Sequence, residues 1–440
     1  MFIIYLCIYF FNAEEIMQIS RKDIFDGIAL NTVRTDKFKF NRIFIDFILP
    51  LERENAAENA LFSSVLLRGT EKHPNLLSIQ KELSSLYGAE VDSYIGTNGE
   101  AHVITVYAKL LADKFALGGE DITGGVTSML SEVITDPKTE NHVFDEAFVE
   151  SEKEKLIADI EAQINEKDAY ALKRCIEIMC EKEAWGVSEI GKVEDVERIT
   201  PASLFERYKY VLSHAKIEVW AIGSIDEART EAFVRNMFCG IERGNVPDYS
   251  TNVIKDVAEV KNVCEHQALN QGKLVLGFRT GIGGYDDDYH VLRVLNCVFG
   301  AGTQSKLFQN VREKLSLCYH CSSRIYMKGV MMVTSGIEVK NHDKARNEIF
   351  AQLEAIKNGE ITAEEMESAK KRLRNSLLTV EDSVEAIHSH YAGNRVFGIS
   401  ETPAETIAKI ESVTVEQVVA AAKNIKLDTE YFLCGTEVKA

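Results

Sequence analysis

Two α+β domains of one repeated design, each an antiparallel-rich sheet with packed helices, are what this chain predicts. Three observations carry that reading. The 440 residues divide into two halves of about 220, the same segments recur in both halves in the same order, and each half shows hairpin-like strand pairs followed by helices instead of strict strand-helix-strand alternation.

Near the start of each half lies an apolar, alternating strand, Phe38–Leu49 and Lys273–Phe278. A helical stretch then runs into Gly-Thr, as VLLRGT with Gly69 and Thr70 and as CVFGAGT with Gly302 and Thr303. IQKELSSLYGAEV is matched by NVREKLSLCYHCSS, a register that pairs Leu83 with Leu315 and Tyr87 with Tyr319. A charged amphipathic helix follows, ESEKEKLIADI from Glu150 and ESAKKRLRNSL from Glu367. Each half closes on a helix and a short strand, ITPASLFERY then IEVWAIG and VTVEQVVAAA then TEYFLCG. Thr200 before Pro201, and Thr414 with Gln417 three residues on, have N-cap chemistry, a hydroxyl accepting from a first-turn amide. The repeat offset is 233 at Gly69/Gly302, 217 at Glu150/Glu367 and 214 at Thr200/Thr414. The first half therefore holds an insertion, for which the Gly-rich stretch Leu111–Val126 is the candidate. Between the halves, RGNVPDYSTN (Arg243–Asn252) gathers Gly, Pro, Asn and Ser into a linker, giving domains over 17–242 and 253–440.

Apolar residues make up 45% and charged residues 27%, with six prolines, which excludes disordered, collagenous and low-complexity classes. With 68 acidic and 50 basic residues the net charge is −18, so neither nucleic acid nor a membrane surface is an expected partner. Nine cysteines are scattered without paired zinc-ribbon spacing; Cys318 and Cys321 form one CxxC where a helix end enters a strand. Reduced thiols in the cytoplasm are the expectation. The opening MFIIYLCIYFFN has ten apolar residues, Phe2–Phe11, with no basic region before them and Glu14 and Glu15 after. That is short of the ~20 residues of a membrane span and lacks a signal peptide's flanks. Met17 is the expected first residue.

The duplication, together with GTQSKLFQNVREKLSLCY in the second half, resembles the insulinase/pitrilysin family of inverted-zinc metallopeptidases, from about Met17 to Ala440. The resemblance implies a clamshell whose halves enclose an unfolded or short peptide. In that family His-x-x-Glu-His sits on a first-half helix, where positions i, i+3 and i+4 share a face. The two His hold zinc and the Glu is general base for the attacking water. The motif ends a few residues before Gly-Thr, so its positions here are Ala60, Leu61, Phe62, Ser63 and Ser64. Ala60 and Ser64 replace the histidines and Ser63 the glutamate. A methyl group ligates nothing and a neutral hydroxyl is a poor ligand and base. No catalytic residue and no metal are therefore expected on this chain. The resemblance further places a third ligand at Asp159 and a supporting carboxylate at Glu152; on a Glu- and Lys-rich helix both read more simply as a solvated face. His73, followed by Pro74, is expected on a loop at the surface.

The second half keeps more of the family pattern. Its substrate-clamping Arg and Tyr, seven residues apart, correspond to Arg312 and Tyr319 in REKLSLCY, and the resemblance gives them a role at the substrate's developing oxyanion. The alternative on residues alone is an Arg on a helix surface with a Tyr packed under it. Gly300-Ala301-Gly302 lacks the third glycine of a dinucleotide loop, Asp286–Asp288 lacks EF-hand spacing, and His388 and His390 point apart on a helix. The resemblance thus implies a non-catalytic, Arg/Tyr-bearing peptidase homologue that pairs with a zinc-bearing paralogue as a heterodimer, or with itself as a homodimer, to bind or process a peptide or protein. Zinc is expected only on the partner. Similarity to bacterial members without the zinc motif implies a link to 5-aminopentanol modification of elongation factor P. The alternative is a peptide- or protein-binding scaffold with no peptidase role. An active peptidase with another metal arrangement is opposed by the vacant helix.

Overall fold

The computed structural model describes residues 17–435; the apolar run Phe2–Phe11 lies outside them. No helix among the described residues is long and apolar enough to cross a membrane. The first half runs β1 (Gln18–Phe25), β2 (Ile28–Arg34), β3 (Phe40–Pro50), α1 (Arg53–Leu66), α2 (Leu76–Ser85), β4 (Glu90–Asn98), β5 (Ala101–Leu111), α3 (Ile122–Thr135), a short β6–β7 ladder (Thr139–Glu140, Val143–Phe144), α4 (Glu146–Ala162), α5 (Lys167–Met179), α6 (Val193–Glu197), α7 (Pro201–His214), β8 (Lys216–Gly223) and α8 (Glu227–Phe238). The second runs β9 (Lys261–Gln267), β10 (Gly272–Arg279), α9 (Tyr289–Phe299), a π-helical segment Leu307–Lys314, β11 (Cys318–Tyr326), β12 (Val330–Ile337), α10 (His342–Lys357), α11 (Ala363–Leu378), α12 (Val384–Val396), α13 (Pro403–Ser412), α14 (Val415–Lys423) and β13 (Lys426–Gly435).

The α+β architecture is as the sequence predicts, and the two sheets share one topology. Their orders are β1-β2-β8-β3-β5-β4 and β9-β13-β10-β12-β11, so β1 covers an edge that β9 leaves open. Pairing is antiparallel except at β2·β8 and β9·β13, where the closing strand returns after a run of helices. The Thr caps hold: Thr200 accepts from the Ser203 amide and Thr414 from the Gln417 amide, both in capping boxes worth about 1 kcal/mol each.

The strands read as alternating are in fact buried along their length: every residue of β10 is buried, as are most of β3. The central strands of each sheet are covered on both faces because the halves exchange helices. α12 of the second half lays Val384, Ile387 and Tyr391, spaced i, i+3 and i+7, on Val33, Phe44, Trp220 and Ile222 of the first sheet. Reciprocally, α5 of the first half lays Ala171, Cys175 and Met179 on Val275, Met332, Tyr431 and Leu433 of the second. The two helices correspond end to end at an offset of 217, so the exchange follows the internal repeat.

The structure shifts one register. α2 and β4 match the π-helical segment and β11 at an offset of 228, with Glu90–Asn98 against Cys318–Tyr326. Leu83 is thus the counterpart of Val311, both buried, whereas Leu315 is exposed and Tyr319 corresponds to Val91. The expected pairing was displaced by four residues, one helical turn, because both segments repeat Leu and Tyr at that spacing. The insertion is also divided: extra residues fall in the loop after Thr70, in the Leu111–Asp121 stretch and around the β6–β7 ladder. Cys318 and Cys321 both lie within β11, where a bulge interrupts the ladder between Cys318 and His320.

An irregular segment, residues 241–260, joins the halves, longer than the expected 243–252. It is held down. The Arg243 guanidinium donates to the carbonyls of Leu212 and Ala215, Thr251 is buried, and the Asn252 carbonyl accepts from Lys328. Lys328, in the β11–β12 turn, is fully buried and pairs with Glu100 at 2.7 Å and Glu183 at 2.8 Å, both from the first half. Glu183 also receives Arg279 at 2.6 Å, and Arg279 reaches Asp428 at 2.8 Å. Burial alone would raise the Glu183 carboxyl, yet hydrogen bonds from Arg279 and Lys328 hold it below the ordinary range.

Candidate functional site

α1 begins without a side-chain cap and is held by its buried face, which includes Ala60 and Ser63; Ser64 is half-buried. The Ser63 hydroxyl donates to the Ala60 carbonyl at 3.0 Å, and Ser93 of β4 donates to the Ser63 carbonyl at 3.2 Å. The hydroxyl at the position that the resemblance assigns to the general base therefore donates within its own helix. Beside Ala60, Asn59 is fully buried between the His102 ring nitrogen Nδ1 at 3.0 Å and Arg207 Nε at 2.8 Å. Burial, helped by the Arg207 charge, pushes His102 down to about 4, so this imidazole is neutral and serves to join α1 to β5.

The downstream carboxylates are engaged or exposed. Glu152 of α4 is buried, not solvated, and binds Arg68 at 3.0 Å and Lys155 at 2.7 Å, while the Arg68 guanidinium lies over the Phe148 ring. Asp159 is exposed, as the solvated-face reading has it. A methyl group at Ala60, a half-buried hydroxyl at Ser64 and the exposed Asp159 do not make a tetrahedral zinc site, and the supporting Glu152 is neutralised by two cations. His73 lies in the loop after Gly-Thr but is half-buried, its Nδ1 2.9 Å from Glu132. The repeated Gly-Thr does two jobs. At Gly69 a Cβ would meet the Pro74 backbone at 2.9 Å, whereas Gly302 takes φ +122°, a region L side chains avoid.

Arg312 lies in the π-helical segment, a geometry that recurs at functional sites. Its guanidinium stands 4.6 Å from the Phe308 ring centre and 3.6 Å from Glu313. Tyr319, at the start of edge strand β11, is 66% exposed, which rules out a Tyr packed beneath the helix. The neighbouring His320 reaches Asp168 of α5 at 3.6 Å, so this end of β11 lies on the seam between the halves. The other end of β11, Ile325 and Tyr326, joins Tyr170, Trp185, Phe397 and the Gly99 turn in the wall of a cavity of about 660 Å³ between the halves. Along β11, Ile325 lies six residues, about 20 Å, from Tyr319, and Glu166 and Ala169, which flank Asp168, are part of the same wall.

Of the other motifs, Asp286–Asp288 are exposed at the start of α9, and His388 and His390 diverge: His388 is buried, with Nε2 2.9 Å from Asp46, itself held by Thr105 at 2.7 Å. Sequence reasoning missed the Lys328–Glu183–Arg279 cluster entirely. A lysine in a hairpin turn looks solvated, and only the approach of the other half buries it.

Residues 198–373 match the family model described as "Peptidase M16 inactive domain". The chain is 33% identical over 413 residues to the "Probable inactive metalloprotease YmfF" of Bacillus subtilis, spanning 93% of this chain and 96% of that protein. It is 26% identical over 180 residues to the "Uncharacterized zinc protease YmxG" of the same organism, 40% of this chain and 44% of that one. A crystal structure of a conserved protein from Enterococcus faecalis superimposes with a TM-score of 0.88 at 26% identity, covering 96% of this chain and all of the other.

Proposed function

The chain belongs to the M16 peptidase family as a homologue without the zinc motif, and on that premise we propose that it is the Arg/Tyr-bearing, non-catalytic subunit of a two-part peptidase whose zinc resides on a paralogue. One contrast carries this reading. The metal positions on α1 are filled or committed, whereas Tyr319 is exposed and the Arg312 side chain half-exposed beside the start of β11. Groups so placed are free to reach a peptide carbonyl held against a partner's metal, where a guanidinium and a phenol stabilise developing negative charge. The family resemblance supports a peptide or protein substrate, and the unpaired cysteines of the described residues support a cytoplasmic setting. The resemblance also makes elongation factor P modification the first pathway to examine: the modified factor should lose its 5-aminopentanol mass in cells lacking this chain, and an unchanged mass removes the link.

The experiment mixes this chain with a zinc-bearing M16 paralogue from the same cell. Expected are a one-to-one complex by light scattering and chelator-sensitive cleavage of an unfolded peptide, with none from this chain alone. A chain that neither associates nor alters the paralogue's cleavage overturns the reading. The scaffold alternative, which the cavity walled by both halves supports, then stands ahead.

A further inference from the structure

β9 carries Cys264 and His266 two residues apart, so both side chains leave the same face of the strand. The parallel register of β13 sets Cys434 directly opposite His266 and Phe432 opposite Cys264. The polar atoms converge: Cys434 Sγ is 3.0 Å from His266 Nδ1 and 3.3 Å from Cys264 Sγ, and Cys264 Sγ is 3.9 Å from His266 Nε2. All three residues offer a ligand atom within 4.8 Å of the others. Cys434 is buried, while Cys264 and His266 are exposed at the edge that, among the described residues, no β1 counterpart covers.

Two chemistries can join these sulfurs, and the strand geometry separates them. Cys264 and Cys434 are diagonal, one strand across and two residues along. Strands about 4.8 Å apart with a rise of about 3.3 Å per residue put their Cα atoms about 8 Å apart, beyond the roughly 4.4–6.8 Å of a disulfide. A tetrahedral ion with sulfur bonds of about 2.3 Å instead holds its two sulfurs about 3.8 Å apart, within reach of a small side-chain rotation. His266, opposite Cys434, supplies a third donor of the right kind. We propose that Cys264, His266 and Cys434 form a site for a thiophilic divalent cation of the Zn²⁺ type, with the fourth coordination position open to solvent at the edge of β9. Two thiols lose their protons to bulk water on binding and the imidazole binds neutral, a donor set that favours Zn²⁺ over Mg²⁺ or Ca²⁺. The ion joins β9 to β13 on the second sheet, independently of α1 and of any partner's metal.

The test uses the full chain, reduced and stripped with chelator, titrated with Co²⁺ as a spectroscopic probe and then with Zn²⁺. Expected are one Co²⁺ per chain with a thiolate-to-metal charge-transfer band, displacement by Zn²⁺, and at least tenfold weaker binding in both Cys264→Ser and His266→Gln. Cys239→Ser, which alters another exposed thiol, should bind as the parent does. Absence of the band, binding unchanged in both site variants, or a Cys264–Cys434 disulfide in the mass of the unreduced protein overturns the proposal.

Discussion

Replacing Lys328 with Met removes a buried ammonium while keeping most of its volume, and the structure sets how much that costs. The side chain is fully buried and its ammonium serves Glu100, Glu183 and the Asn252 carbonyl. Deleting one member of a buried ion pair costs about 3–5 kcal/mol, chiefly because the remaining charge stays desolvated. Here both carboxylates keep another partner: Glu183 retains Arg279 at 2.6 Å, and Glu100 retains the Asn252 amide at 2.9 Å. The lower end, about 3 kcal/mol, is therefore expected. With an unfolding entropy of about 2.1 cal/mol/K per residue, a chain of this length that unfolds as one unit should lose roughly 3–4 °C in Tm. Differential scanning calorimetry measures the shift, and hydrogen exchange should rise at residues 97–100 and 326–329, where the halves meet. Adding Glu100→Gln to Lys328→Met should recover part of the loss, since the pair is coupled. A Lys328→Met shift below 1 °C would refute the view that this cluster fastens the halves together.

Acid should weaken the same cluster. Because the folded state holds Glu183 below the ordinary carboxyl range, its contribution is present above the unfolded value of about 4.3 and is lost as pH falls through the folded value; Glu183→Gln should flatten the stability profile between about pH 5 and 3, as chemical denaturation across pH would register. Leu83→Ala, at a core position, should cost about 2–5 kcal/mol and Leu315→Ala about 0.5 or less, and equal effects in urea melts would restore the four-residue-shifted register. If the proposed pairing holds, Arg312→Ala and Tyr319→Phe should leave Tm nearly unchanged yet cut cleavage by the mixture with a zinc-bearing paralogue about 10²-fold, so a loss of stability without a loss of turnover would make both residues structural. Proteolytic nicking within 243–252 should leave the two fragments co-eluting on size exclusion, since α5 and α12 each rest on the other half's sheet; separate elution counts against the exchange.

The repeat was legible because its signals are local. Capping threonines, a charged helix face and Gly-Thr at a helix end each announce themselves within a few residues, and their offsets aligned the halves. The positions Ala60, Ser63 and Ser64 came instead from the family resemblance, and the structure puts all three on one helix, α1. What the linear pattern could not show depends on distant approach. Strands β3 and β10 look half-exposed until a helix from the other half covers them. Glu152 reads as solvated until Arg68 folds over Phe148 to meet it. Cys264-x-His266 does carry a signal, two ligand types at strand spacing, but its third member is 170 residues away and becomes a neighbour only through the parallel closure of β13 on β9.

The placement of α12 has a consequence on the ribosome. The patch formed by Val33, Phe44, Trp220 and Ile222 is complete once Ile222 has emerged, but its cover begins at Val384, 162 residues later. At 5–20 residues per second that interval is about 8–32 s. Throughout it a nascent chain with a finished first sheet presents a tryptophan and a phenylalanine to its surroundings, so this protein's yield should depend on elongation speed and on chaperones that bind apolar surface far more than its final stability would suggest.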